Sequence, residues 1–320
     1  MKPIVRTVLG DIEPGELGRT NVHEHLLHAS PLLPGEELDD PVRSLAEVVE
    51  LRDAGIDALF ELTTIGLHRD PRGLAEISRR SGVKIVAATG IHRQAHYPPG
   101  HWIYSVDPTR YAHWFIRDIS TGCDAGDYAG PAPDPTEIRA GVIKVGVGYW
   151  SISDFERRVL EAAAQAHLAT GAPIMCHLEM GTAAWEVLER LQAAGVLHDR
   201  VLLAHIDRNP DPGLHAELAA AGAYLGYDGM ARAKYWPDST LLDCLLRVAA
   251  TGGVERLTLG GDVARRSSFH AYGGMPGLAY LPRRFIPRLR EMGGAEMVHA
   301  LLVTNPARFA AFVPQDREIG

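Results

Sequence analysis

Short apolar segments rich in β-branched residues recur along the chain, and most are followed by a segment with the spacing of an amphipathic helix. Eight of these segments are predicted strands: Thr20–His25, Ala58–Thr63, Lys84–Thr89, Gly141–Gly146, Pro173–His177, Val201–His205, Ala223–Tyr227 and Leu257–Asp262. The helical patterns include Arg43–Ala54, Gly73–Ser81, Asp154–Thr170, Ala183–Ala194, Gly213–Ala221, Thr240–Thr251 and Phe285–Met292. Apolar strands that alternate with helices are typical of a parallel sheet covered on both faces. Eight of them favour a (β/α)8 TIM barrel, which we predict as a single domain over residues 1–320.

Three irregular segments interrupt this alternation. Val5–Thr20 precedes the first strand and is predicted to form a hairpin at the bottom of the barrel. Gln94–Glu137 is rich in Pro, Gly, Asp and aromatic residues, and Ala264–Pro282 follows the last strand. Loops of this length in a compact domain are usually functional, so we expect extended loops at the carboxyl end of the barrel.

Composition excludes several classes of protein. The 320 residues are 46% hydrophobic and 22% charged, which provides enough apolar material for one large core. The net charge of -8 argues against sequence-independent nucleic-acid binding. We expect no membrane segment and no signal peptide, because the chain has no sufficiently long apolar run. Three scattered cysteines fit a reducing, cytoplasmic location.

Fifteen histidines invite a search for a metal site, and several of them fall at predicted strand ends. His23 and His25 are two residues apart, so their side chains share one face of a strand. The later strands present one ligand-type residue each: Lys144, His177, His205 and Asp262. A lone histidine at a strand end is usually an ordinary polar residue. Six such residues at equivalent positions of a barrel favour a metal site at its carboxyl end.

Lys144 lies inside an apolar strand, where an unpaired charge is costly. It therefore needs a depressed pKa or a partner. Reaction with CO2 would convert it to a carbamate, an anionic oxygen ligand able to bridge two cations. The sequence leaves these alternatives open.

The six residues resemble the metal centre of the phosphotriesterase family within the amidohydrolase superfamily, and the likeness extends over nearly the whole chain. The motifs that carry it are Leu9-Gly10-Asp11-Ile12, Glu16-Leu17-Gly18, Asn21-Val22-His23-Glu24-His25, Val86-Ala87-Ala88-Thr89-Gly90, Gly260-Gly261-Asp262 and Asn305-Pro306-Ala307-Arg308-Phe309.

This resemblance implies two divalent metal ions. The first would be held by His23, His25 and Asp262, and the second by His177 and His205, with a carbamylated Lys144 and a hydroxide as bridges. Nitrogen and oxygen ligands of this kind suit Zn2+, with Mn2+ or Co2+ as substitutes. The resemblance further implies attack by the hydroxide with Asp262 as base, and a homodimeric assembly.

The loops suggest the substrate. Lys234 follows the seventh strand, and Arg265 and Arg266 follow the eighth, so they are expected to form a cationic pocket near the metals. The arrangement resembles the branch of the family that opens phosphorylated sugar lactones. Tyr97 and Tyr272 are further candidate substrate-binding residues. We therefore expect a small-molecule anionic lactone as substrate.

The polar segment His92-Arg93-Gln94 also favours a polar lactone over a bulky apolar triester. Asp207 and Arg208 replace the acidic pair that often relays protons in the family, which puts such a relay in doubt. The alternatives are a phosphotriesterase acting on organophosphates, an acyl-homoserine lactonase, and a ligand-binding barrel whose metals are only structural.

Overall fold

The structure, a computed structural model, describes residues 2–130 and 132–315. A two-stranded antiparallel hairpin comes first, formed by β1 (Val5–Thr7) and β2 (Gly10–Ile12). Eight parallel strands follow: β3 (Thr20–Glu24), β4 (Ala58–Glu61), β5 (Lys84–Thr89), β6 (Val142–Val147), β7 (Ile174–Leu178), β8 (Val201–Ala204), β9 (Tyr224–Tyr227) and β10 (Leu257–Leu259). Each pairs with the next in chain order. The predicted TIM barrel with an N-terminal hairpin is confirmed.

The barrel closes where its last strand returns to its first. Just beyond β10, the amides of Gly261 and Asp262 donate to the carbonyl oxygen of His23 at 3.1 and 2.7 Å. The final strand ends three residues earlier than predicted, because Gly260, Gly261 and Asp262 leave the strand geometry and Asp262 takes a φ of 48°. The backbone of two candidate site residues, His23 and Asp262, therefore also forms a hydrogen bond that closes the barrel.

Helices cover the outside of the sheet: α1 (Pro41–Asp53), α2 (Pro71–Ser81), α3 (Thr109–Ser120), α4 (Asp154–Thr170), α5 (Ala184–Ala193), α6 (Pro212–Ala220), α7 (Asp238–Ala250), α8 (Ile286–His299) and α9 (Asn305–Ala310). Helix α4 has the predicted bounds. A reciprocal capping pair, Ser153 and Glu156, fixes its start, and Gly171 in the left-handed region ends it.

Helix α3 was not predicted, because it lies within the irregular segment Gln94–Glu137. Its apolar face is nevertheless periodic, with buried Tyr111, Trp114 and Phe115. Proline- and glycine-rich sequence on both sides obscured this short helical pattern.

The insertion is anchored by buried charges. Arg69 donates to Asp118 of α3 at 2.6 Å, and its Nε lies 3.3 Å from Asp127. Tyr128 donates to the other oxygen of Asp118 at 2.8 Å. Asp127 also accepts the backbone amide of Gly66 at 2.8 Å. These contacts join the insertion to the loop that follows β4.

The amino end of the barrel is closed by apolar packing. Phe309 of α9 is fully buried there, with ring centroids 6.4 Å from Phe60 and 5.3 Å from Tyr224. The hairpin lies at the same end, where the amide of Val8 bonds to Ile85 at the start of β5. Within the described ranges, no helix is long and apolar enough to cross a membrane.

Candidate metal centre

The six predicted ligand residues converge at the carboxyl end of the barrel. Five of them line one cavity of about 190 Å³: His23, His25, His177, His205 and Asp262. The sixth, Lys144, lies inside β6 rather than at its end and is fully buried. Its long side chain extends towards the carboxyl end of the barrel, so that Nζ lies 3.4 Å from Nε2 of His23.

Three of these residues form one compact ligand group. Oδ1 of Asp262 lies 3.4 Å from Nε2 of His23 and 3.6 Å from Nε2 of His25. The donor atoms of the trio are close enough to bind one ion, and all three residues are buried. Two imidazoles and a carboxylate are suitable ligands for a divalent cation such as Zn2+.

The other expected ligands lie next to this group. The ring of His205 is 4.9 Å from that of His23 and 4.3 Å from that of His177, measured between centroids. Burial lowers the pKa of Lys144 to about 8. The neutral amine that burial favours is also the form that reacts with CO2, so the surroundings of Lys144 fit a carbamate.

A single carboxylate orients two of the histidines. Asp228, fully buried directly after β9, accepts from Nδ1 of His23 at 2.8 Å and from Nδ1 of His205 at 2.6 Å. Burial alone would raise the pKa of Asp228, but the two imidazoles hold it well below its usual value. Both rings are left with Nε2 free for a metal. Asp228 was missed from sequence, although its position after a strand carried the same signal as the predicted ligands.

The remaining two histidines have partners of their own. Nδ1 of His25 lies 3.1 Å from the hydroxyl of Thr63, which donates to Glu61 at 2.6 Å. Nε2 of His177 lies 2.9 Å from Oε2 of Glu179. Every predicted histidine ligand therefore has one ring nitrogen engaged by the protein, as ligating histidines usually do.

Cations surround the outer oxygen of Asp262. Nη2 of Arg208 lies 3.2 Å from Oδ2, and Nη2 of Arg232 lies 2.9 Å from it. Burial raises the pKa of Asp262, but the effect of Arg232 and the nearby histidines is larger, so the pKa falls well below its usual value. Lys234 and Arg265 line the same cavity.

Three predicted substrate-binding residues do not line this cavity. The hydroxyl of Tyr97 is buried in the wall, where it donates to Ile65 at 2.8 Å and accepts from the amide of His92 at 2.9 Å. The hydroxyl of Tyr272 accepts the amide of Asp40, and the guanidinium of Arg266 lies over the Tyr272 ring at 4.7 Å. Loop packing, which the sequence did not reveal, directs these side chains elsewhere.

The cavity contains further polar residues, of which Arg93 and His92 belong to the polar segment singled out from sequence. Arg93, Glu179, Arg208 and Arg232 all contribute to its wall, together with several further histidines. A wall this polar suits a small charged substrate better than a large apolar one.

Comparison with known proteins agrees with this geometry. The model of the phosphotriesterase family matches residues 3–310. The chain belongs to the phosphotriesterase family.

Named members of the family resemble the chain over almost its whole length. A phospho-furanose lactonase from Mycoplasmopsis synoviae (strain 53) is 31% identical over 326 residues, covering 96% of this chain and 91% of that protein. The phosphotriesterase homology protein from Escherichia coli (strain K12) is 31% identical over 297 residues, covering 91% and 97%.

Solved structures show the same likeness. A lactonase from Listeria monocytogenes superposes with a TM-score of 0.87 at 28% identity, covering 97% of this chain and 99% of that one. A mutant of an organophosphorus hydrolase from Deinococcus radiodurans gives 0.80 at 26% identity, covering 95% and 96%. The family and its lactonase members identify the chain as a metal-dependent hydrolase that acts on ester bonds.

Proposed function

We propose that the protein is a binuclear metal-dependent lactonase that opens small anionic lactones, with phosphorylated sugar lactones as the substrate class. The observation that carries this proposal is the placement of Lys234 and Arg265 in the wall of the cavity that holds the metal ligands. Arg208 and Arg232 contact Asp262, whereas Lys234 lies against the ring of Tyr235, with Nζ 4.9 Å from its centroid. Lys234 and Arg265 are therefore the cations best placed to bind a substrate anion.

His23, His25 and Asp262 form one compact ligand group and would hold one cation. From the family resemblance, His177 and His205 would hold the other, and a carbamylated Lys144 would be shared by the two. Zn2+ is the first choice, with Mn2+ or Co2+ as substitutes. When bound, the two cations would make hydroxide available near neutral pH and polarise the carbonyl of the lactone.

The chain's own groups carry the proton. The carboxylate of Asp262 accepts the proton of the attacking water and returns it to the ring oxygen that is released when the ester C–O bond breaks. Arg208 contacts this carboxylate, but a guanidinium keeps its protons at any ordinary pH and cannot relay one. Because the proton goes to the leaving oxygen, the reaction needs no acidic relay beyond Asp262.

The cavity also bears on the alternative substrates. An acyl-homoserine lactone carries an apolar chain, and an organophosphate triester carries apolar groups without a net charge. The cavity of about 190 Å³ is lined largely by charged and imidazole side chains. Binding either alternative would leave these polar groups without partners, at a cost of ~1–3 kcal/mol each.

A cytoplasmic homodimer completes the proposal. The family resemblance supports the dimer, and the three cysteines, all free and buried, are consistent with a reducing compartment. Light scattering of the purified protein tests the assembly.

Side-by-side kinetics of the purified protein test the substrate class. We expect about two metal equivalents per chain, and a kcat/KM for a phosphorylated furanose lactone ~10- to 100-fold above that for the same lactone without phosphate, the effect of one or two charged hydrogen bonds. A paraoxon-like triester should be a poorer substrate than either. Full activity after complete metal removal, or equal kcat/KM with and without the phosphate, would contradict the proposal.

A further inference from the structure

Glu179 occupies a tight turn directly after β7, two residues beyond His177. Its carbonyl oxygen accepts the hydroxyl of Thr182 at 2.7 Å, and Met180 between them adopts a left-handed φ of 56°. A non-glycine residue in this region costs free energy, so the surrounding contacts must impose the turn. The turn places the carboxylate of Glu179 beside the His177 ring.

Two groups share this carboxylate. Oε2 of Glu179 lies 2.9 Å from Nε2 of His177 and 3.2 Å from Nη2 of Arg93. The guanidinium of Arg93 holds the carboxylate in place from one side, and the carboxylate accepts the N–H of the imidazole from the other.

The partners of the other histidines are much less accessible. Asp228 and Thr63 are fully buried, whereas the side chain of Glu179 is 23% exposed and that of Arg93 is 17% exposed. Both Glu179 and Arg93 line the cavity that the substrate would enter. His177 is therefore held by a carboxylate in the cavity wall, whereas the other candidate histidine ligands are held by groups in the core.

We propose that Glu179, held by Arg93, is a positioning residue that fixes the tautomer and the ring plane of His177 for the second metal. A neutral imidazole that donates from Nε2 has its lone pair on Nδ1, so Nδ1 is the nitrogen left to bind the ion. The carboxylate also makes that nitrogen a stronger donor. The inference rests on the proposed binuclear function, and it predicts that changing Glu179 weakens the binding of the second metal.

The metal content of a set of variants tests this inference. Glu179→Ala removes the acceptor, Glu179→Gln retains an amide oxygen without the charge, and Arg93→Ala removes the cation that holds the carboxylate. Glu189→Gln is the matched control, because Glu189 is an exposed carboxylate on α5, the helix that follows the same turn. Each protein, loaded with Zn2+ or Co2+, is dialysed against a series of chelator concentrations. Bound metal is measured by mass spectrometry, and Co2+ coordination by visible absorbance.

We expect Glu179→Ala to lose one of its two metal equivalents at a ~10- to 100-fold lower chelator concentration than the wild type. This is the usual effect of removing a partner of a ligating histidine. The other equivalent should be retained. Glu179→Gln and Arg93→Ala should shift in the same direction by less, and Glu189→Gln should match the wild type. Thermal unfolding shows which variants are folded, and if Glu179→Ala is not, the two milder variants decide.

Two results would overturn the inference. Folded variants at Glu179 that hold both equivalents as tightly as the wild type would show that Glu179 does not position His177. Unchanged metal binding with a raised KM would make Glu179 a substrate contact, and would leave the proposed function intact. A wild-type protein that never binds a second equivalent is a different failure, because it contradicts the binuclear function itself.

Discussion

The floor and the rim of the cavity are built in different ways. On the floor, His23, His205 and Asp228 are at most 1% exposed, and each has hydrogen-bond partners in the core. On the rim, Lys234 and Arg265 belong to loops, and the ammonium of Lys234 is placed by the ring of Tyr235. Strand ends give ligands the fixed positions that coordination requires, whereas loops allow the substrate contacts to differ between relatives. On this comparison, the buried metal ligands of the floor enable the reaction, and the loop cations of the rim select the substrate.

The largest loss of activity should follow a substitution at a metal ligand on the floor of the cavity. Asp262→Asn removes both the charge of a metal ligand and the proton acceptor, so kcat/KM should fall by ~100- to 10,000-fold for every substrate, charged or neutral. Steady-state kinetics with a phosphorylated and an unphosphorylated lactone check this, together with metal content. Asp243→Asn, at an exposed position of α7, is the control. A loss of activity confined to the phosphorylated lactone would show that Asp262 acts in substrate selection, the role expected of the rim and not of the floor.

The rim should show a smaller and selective effect. Lys234→Ala or Arg265→Ala removes one charged contact to the substrate, so kcat/KM for the phosphorylated lactone should fall by ~10- to 100-fold. The lactone without phosphate should be almost unaffected. Arg266→Ala is the matched control, because its guanidinium lies over Tyr272 outside the cavity lining. Equal losses on both lactones would show instead that these cations support the metal centre.

The smallest effect on activity is expected at Asp127, in the insertion that flanks the cavity, because its ionisation changes stability instead. Burial raises the pKa of Asp127 from 3.8 to about 7 despite its contact with Arg69. The folded state therefore binds this proton more tightly than the unfolded state does. The stability from the protonated carboxyl is fully present below about pH 4 and is lost as the pH rises through 7.

Asp127→Asn should remove that dependence. The free energy of unfolding of wild type minus variant, measured by denaturant titration from pH 4 to 8, should fall by a few kcal/mol, because each tenfold difference in proton affinity between the folded and unfolded states corresponds to about 1.4 kcal/mol. Taking the difference cancels the groups that titrate in both proteins. A flat difference would show that Asp127 ionises normally and that Arg69 fully compensates its burial.

The floor was the more predictable region from sequence. The period-two spacing of His23 and His25, and single polar residues after apolar strands, identify side chains that must face the barrel mouth. Asp228 and Glu179 carry the same positional signal, but a carboxylate near a histidine does not reveal whether it binds the metal or the imidazole.

The rim could not be predicted in the same way. Tyr97 and Tyr272 were placed at the substrate because of where their loops leave the barrel, yet their hydroxyls bond to loop backbone. Helix α3 was missed for a different reason, because proline- and glycine-rich sequence surrounds its periodic apolar face. Loop conformation depends on long-range contacts, such as that between Arg69 and Asp118, which no local pattern encodes.

The junction between the first and last barrel strands has a consequence for biosynthesis. Amides of Gly261 and Asp262 close the barrel on His23, which lies more than 200 residues earlier in the sequence. During translation, His23 in β3 and His25 just after it are made long before Asp262, the carboxylate of their ligand group. Contacts between such distant positions form late and slowly in folding. The metal centre should therefore be among the last parts of the nascent protein to assemble.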